Sequence, residues 1–168
     1  MRLRFFFSAG LLALFGACGS PESEAVSDTE SEAPGSYAYD PQTGETRASI
    51  RQDDGRIATM RSGESVPVDL PGGFTLYPGA QVESSTQIDS VTGGGWMVRM
   101  TSREESDRLV EFYRREAQRA DIDLAMNRSM GDMTIIGGDD GKGLAFIFTA
   151  RHDSDRTHGH LTLSREAR

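Results

Sequence analysis

The chain of 168 residues holds one cysteine, Cys18, so no disulfide can form within it. Whatever folds here is held by packing alone, even in an oxidising compartment. Basic residues are scarce as well: 18 Lys and Arg stand against 26 Asp and Glu. So acidic a chain lacks the clustered cations that neutralise a phosphate backbone, which argues against nucleic acid as a partner. Anionic lipid headgroups repel it for the same reason. Long apolar runs are also missing. The longest, from Phe5 to Phe15, is about half of the ~20 residues a membrane-spanning helix needs. Catalytic and cofactor signatures are absent too. There is no Gly-x-Ser-x-Gly, and Gly93-Gly94-Gly95 lacks the strand–turn–helix context of a dinucleotide loop. The pairs Asp53-Asp54 and Asp139-Asp140 have no calcium-loop spacing after them. Each pair sits beside glycine in an expected hairpin, where Asp suits the turn. No cofactor is expected.

What the N-terminus does carry is an address. Arg2 and Arg4 precede the apolar run, and Gly16 and Ala17 precede Cys18. A basic start, a short apolar stretch and small residues predict a signal peptide over residues 1–17. Phe15-Gly16-Ala17-Cys18 resembles the lipobox of bacterial lipoproteins, with Phe where that family usually has Leu. The resemblance implies cleavage before Cys18, a diacylglyceryl group on its thiol and acylation of its new amino group, palmitate being the natural label. A lipidated Cys18 cannot serve as a nucleophile. Each buried methylene contributes about 0.8 kcal/mol, so two or three chains hold a protein firmly to a bilayer. Gly19 and Ser20, in place of Asp, resemble outer-membrane sorting. The expected location is therefore the outer membrane, facing the periplasm. Without residues 1–17 the chain has 151 residues, and its 16 bases against 26 acids give a net charge of −10.

Residues 18–36 read as the lipidated cysteine followed by an acidic spacer. Between 19 and 36 there are five acids, no base and one large apolar residue, Val26. Such a stretch cannot bury enough surface to offset its ordering entropy. As a disordered tether it would reach roughly 25 Å. From Tyr37 the texture changes to short alternating segments broken by Pro41–Gly44, Asp53-Asp54-Gly55 and Arg61–Glu64, so residues 37–69 read as β-hairpins.

Residues 70–168 carry stronger signals. Strands are expected at 81–90 and 96–101, with Trp96, Val98 and Met100 on one face and Met97, Arg99 and Thr101 on the other. Ser102 and Glu105 have capping-box spacing, and Leu109, Val110, Tyr113, Ala117 and Ala120 form an apolar stripe. A helix over 103–119 follows. Four more strands are expected at 122–130, 133–137, 143–150 and 158–163. In the third, apolar residues on both faces (Leu144, Phe146 and Phe148 against Ala145 and Ile147) predict a position in mid-sheet. The predicted fold class is α+β: an antiparallel β-sheet with one α-helix on one face, preceded by β-hairpins.

Tyr77-Pro78-Gly79-Ala80, Thr101-Ser102-Arg103-Glu104-Glu105 and Phe112-Tyr113-Arg114 together resemble a pattern found in many uncharacterised bacterial lipoproteins and secreted proteins. There a Tyr-Pro-Gly-Ala turn precedes a strand, and a helix with Phe-Tyr near its end follows. The pattern spans roughly residues 70–165. Where that group usually has Gly-Trp after the helix, this chain has Asp121-Ile122. The resemblance implies a fold and no activity.

Three histidines, His152, His158 and His160, cluster with Asp153 and Asp155. On a strand His158 and His160 would share a face, and with a carboxylate they could hold Zn²⁺ or Cu²⁺. Solvated turn residues are the plainer reading. Trp96, Met97 and Met100 could line a ligand groove, although alternating apolar residues usually face a core. The leading expectation is a non-enzymatic accessory lipoprotein that binds an envelope protein. The alternative is a small-ligand carrier or sensor using the sheet face opposite the helix, and a metal-binding or hydrolytic enzyme comes last. An open apolar pocket would favour the carrier; a closed core with a flat exposed patch would favour the binding module.

Overall fold

A computed structural model describes residues 35–167. The signal peptide, Cys18 and most of the spacer lie outside the described residues. Nine strands and one helix follow in order: β1 (Gly35–Asp40), β2 (Glu45–Arg51), β3 (Ile57–Gly63), β4 (Gln81–Ser90), β5 (Gly93–Ser102), α1 (Ser106–Arg119), β6 (Asp123–Met130), β7 (Met133–Asp139), β8 (Leu144–Asp153) and β9 (Arg156–Glu166). The fold is α+β, a mostly antiparallel sheet with a single helix. Gly35 and Ser36, assigned to the spacer from composition, are the first residues of β1.

The spatial order is β1-β2-β3-β4-β5-β9-β8-β7-β6. Two meanders, β1–β5 and β6–β9, are thus sewn together where β5 pairs with β9. Residues 37–69 do not stand apart, because β3 pairs with β4 from Thr59–Asp89 to Gly63–Ser85. The helix carries the chain from β5 to the far edge at β6 and lies chiefly over β8.

The core lies between α1 and the inner face of β5, β9, β8 and β7. One cross-strand row reads Val98–Leu161–Phe148–Ile136, all buried. From the helix come Leu109, Val110, Tyr113 and Ala117. Tyr113 packs against Phe148 with ring centroids 4.1 Å apart. Burying each such aromatic stabilises by about 1.5–3 kcal/mol. The long β3–β4 connection closes one side. Its Val66 and Phe74 are buried, and Phe74 stacks on Phe146 at 5.2 Å.

Three expectations need correction. The helix begins at Ser106, not 103, and Glu105 is its N-cap without a side-chain bond. Ser102 ends β5, and its hydroxyl accepts the Glu104 N–H at 3.1 Å, so the capping box does not form. The hydroxyl closes the turn into the helix instead. β8 does lie inside the sheet, but only one of its faces is covered: Phe146 and Phe148 are buried while Ile147 is 45% exposed. One helix cannot roof both faces of a sheet. Finally, the glycine triplet belongs to β5. A Cβ on Gly94 would meet the Trp96 ring at 2.5 Å, so the missing side chain makes room for the indole.

Candidate functional site

The histidine cluster divides between the two faces of the sheet. His152 lies on the helix side, where its Nδ1 is 3.0 Å from the Thr157 hydroxyl and 3.9 Å from the Glu105 carboxylate. His158 and His160 share the outer face, as the i, i+2 spacing requires. Their cross-strand neighbours are Thr101 and Arg151 for His158, and Arg99 and Thr149 for His160. Guanidinium groups beside imidazoles oppose a dication. Asp153 and Asp155 flank the β8–β9 turn, where Asp153 accepts from the Ser154 hydroxyl and Asp155 lies 4.0 Å from Arg156. Among the described residues no group of three His, Cys, Asp or Glu is placed to hold a metal ion.

The acid pairs work in turns. Asp54 accepts from the Arg56 backbone N–H at 3.0 Å and from its guanidinium at 2.6 Å, and the guanidinium holds the carboxyl below its ordinary range. Asp139 accepts from the Gly141 N–H at 2.9 Å. Asp140 accepts from Lys142 and Leu144 at 2.7 and 2.9 Å. Met100 is fully buried and takes a 3.4 Å hydrogen bond from the Tyr113 hydroxyl on its sulfur, so it packs the core and lines no groove. Met97 lies on the opposite face of β5 from Trp96 and Met100, so the three do not form one wall.

Two features remain. The first is a groove of about 420 Å³ at one end of the sheet, lined by Pro78, Gly79, Gln81, Thr101–Glu104 and Arg156. Here the Tyr-Pro-Gly-Ala turn and the Thr-Ser-Arg-Glu stretch, far apart in sequence, come together. The turn is closed by the Ala80 N–H donating to the Tyr77 carbonyl at 3.0 Å. Two arginines, Arg103 and Arg156, and one acid, Glu104, are among the residues that line it. It is open and polar, unlike the enclosed apolar cavity of a small-ligand carrier.

The second feature is the outer face of β5–β9. Its central row reads Arg99–His160–Thr149–Ile135–Arg128, and the next reads Met97–Thr162–Ile147–Gly137–Met126. Bases and apolar side chains stand side by side with no carboxylate between them. Among the described residues Arg99 and Arg128 form no ion pair, whereas Arg151 is held by Asp132 at 2.9 Å. No sequence motif marked this face, because residues that meet across five separate strands have no local signature. No family model, curated protein or solved structure matches this chain.

Proposed function

We propose that this chain is a lipid-anchored accessory protein of the bacterial envelope, a binding module and not an enzyme. In this reading acylated Cys18 holds it to the outer membrane and the acidic spacer sets the domain off the headgroups into the periplasm. The three strands β1–β3 form a hairpin ribbon that extends the sheet. The domain's partner is an envelope protein with an acidic surface. The observation that carries the reading is the uncovered outer face of β5–β9. There, among the described residues, Arg99 and Arg128 form no ion pair and stand beside exposed Ile147 and Met126. Aromatic, Met and Arg residues are favoured at interfaces, and complementary charge sets register and encounter rate. The described core packs Tyr113 against Phe148, and the groove described above is open and polar, which supports a binding surface over a carried apolar ligand.

A photo-crosslinking residue in place of Ile147 tests this in intact cells. The expected result is one dominant adduct that disappears when Arg99→Glu and Arg128→Glu reverse the charge of the face. An adduct pattern indifferent to that reversal would overturn the reading. The carrier alternative rests on the groove with Arg103 and Arg156. A thermal-shift screen of small carboxylates and phosphates reads it directly: a shift abolished by Arg103→Gln would favour the carrier.

A further inference from the structure

The polarity of the sheet inverts along its width. In β5–β9 the buried apolar residues face the helix. In β1–β4 the helix side carries charge, with Arg61 beside Arg47 in register and both guanidinium groups on the carboxylate of Glu45. The outer side of the same four strands carries the row Tyr37–Ala48–Met60–Ile88. The flanking rows add Tyr39 and Ile50. Apart from Glu83 at the β-bulge of β4, no outward position of β1–β4 holds a charged residue, in a chain whose residues are 26% charged. Tyr37, Tyr39 and Ile50 are 72%, 58% and 59% exposed. Contiguous uncovered apolar surface of this kind marks an interaction site on a folded domain.

We infer that this nearly charge-free half of the outer face packs against the same face of a second copy of the chain. The scarcity of charge selects the occupant. A nucleic acid, an anionic headgroup layer or an acidic peptide would leave its charges unanswered here, whereas an identical face answers itself. A two-fold contact needs such self-complementarity, and two sheet faces pack aligned about 10 Å apart. Long-range repulsion between acidic chains is screened beyond roughly 8 Å at physiological ionic strength. Four strands about 4.8 Å apart and six residues long give a footprint of roughly 400 Å² per copy, or roughly 800 Å² for the pair. That is the range of weak, transient association. Confinement of two copies to one membrane would raise their effective concentration. The inference stands on the geometry of β1–β4 and does not require the proposed partner at β5–β9.

The test uses the chain from residue 18 onward with Cys18→Ser, so that an introduced thiol is unique. Ala48→Cys sits near the expected two-fold axis, and a short bismaleimide spans packed sheets. The expected result is covalent dimer formed at least tenfold faster than with Thr149→Cys on the other half of the face. Adding Met60→Glu, or Tyr37→Lys at a position exposed enough to spare the fold, should abolish the excess. Equal rates at positions 48 and 149, or rates unmoved by Tyr37→Lys, would overturn the inference. So would a fluorophore at position 48 that enters phosphatidylglycerol vesicles while the protein stays monomeric in sedimentation, since the occupant would then be lipid.

Discussion

The carboxylate of Glu116 holds Thr75 twice, accepting its backbone N–H at 2.9 Å and its hydroxyl at 3.0 Å. Glu116 is 3% exposed and also bonds Arg119 on the next turn of α1. One buried acid therefore fastens the β3–β4 connection to the helix beneath it. Hydrogen bonds to a charged group contribute about 1.5–3 kcal/mol, and an orphaned buried donor costs a similar amount. Glu116→Ala should lower the unfolding free energy by about 3 kcal/mol, measured by urea titration. Thr75→Val keeps the backbone bond and should cost about 1 kcal/mol. Equal, small losses in both variants would show that the connection is held by apolar packing alone.

Glu45 behaves as the acid end of a surface clamp. Hydrogen bonds from Arg61 and Arg47, in that order of weight, lower its pKa from 4.5 to about 2. A carboxyl whose folded pKa is depressed contributes stability above its unfolded value and loses it as pH falls toward the folded one. The contribution is therefore complete above about pH 4.5 and gone near pH 2. The Arg47 side chain is largely and that of Arg61 partly solvated, so salt should weaken it. Thermal midpoints of the wild type and Glu45→Gln should differ at pH 6 and converge as pH approaches 2. A gap that stays constant over that window would rule out the clamp.

The sheet and the helix stripe were legible because each rests on local periodicity. The alternation of Trp96, Val98 and Met100 and the spacing of Leu109, Tyr113 and Ala117 named the core face correctly. Periodicity says nothing about which face of an alternating strand is roofed. The hairpin pattern of residues 37–69 therefore left open which side Ile50 and Met60 take, and they stand on the side away from α1. The capping box failed because Ser102 was still extended as part of β5. Glu116 was hidden for a different reason. It lies on the apolar stripe with Leu109 and Tyr113, yet an acid among arginines reads as solvated. Only the partner Thr75, 41 residues away, reveals its role.

Tyr113 gives the core an alkaline limit. Burial raises its pKa above the ordinary value of 10.0, against the opposing hydrogen bond from the Tyr77 N–H. A group whose folded pKa is raised supplies stability that is complete below the unfolded value and is lost as pH rises past it. The wild type should therefore lose stability above about pH 10. Ultraviolet titration should show one tyrosine ionising only as the protein unfolds. Tyr113→Phe removes the bonds to Met100 and Tyr77, should cost about 1 kcal/mol at pH 7 and should flatten the alkaline fall. An alkaline profile identical in both proteins would mean that another group sets that limit.

The proposed anchor makes the sharpest prediction about location. If acyl chains on Cys18 hold the protein, Cys18→Ala should incorporate no radioactive palmitate and should move from the membrane pellet to the soluble fraction. The domain itself should be untouched, because position 18 lies before the first strand at Gly35. Its urea midpoint after proteolytic removal of the leader should match that of the wild type. One chain alone holds marginally, since each buried methylene contributes about 0.8 kcal/mol. Blocking only the amino-terminal acylation leaves the two chains of the diacylglyceryl group on the thiol and should therefore release little protein. A Cys18→Ala protein that stays with the membrane and resists high salt would place the attachment elsewhere, in the apolar run from Phe5 to Phe15 or on the folded domain.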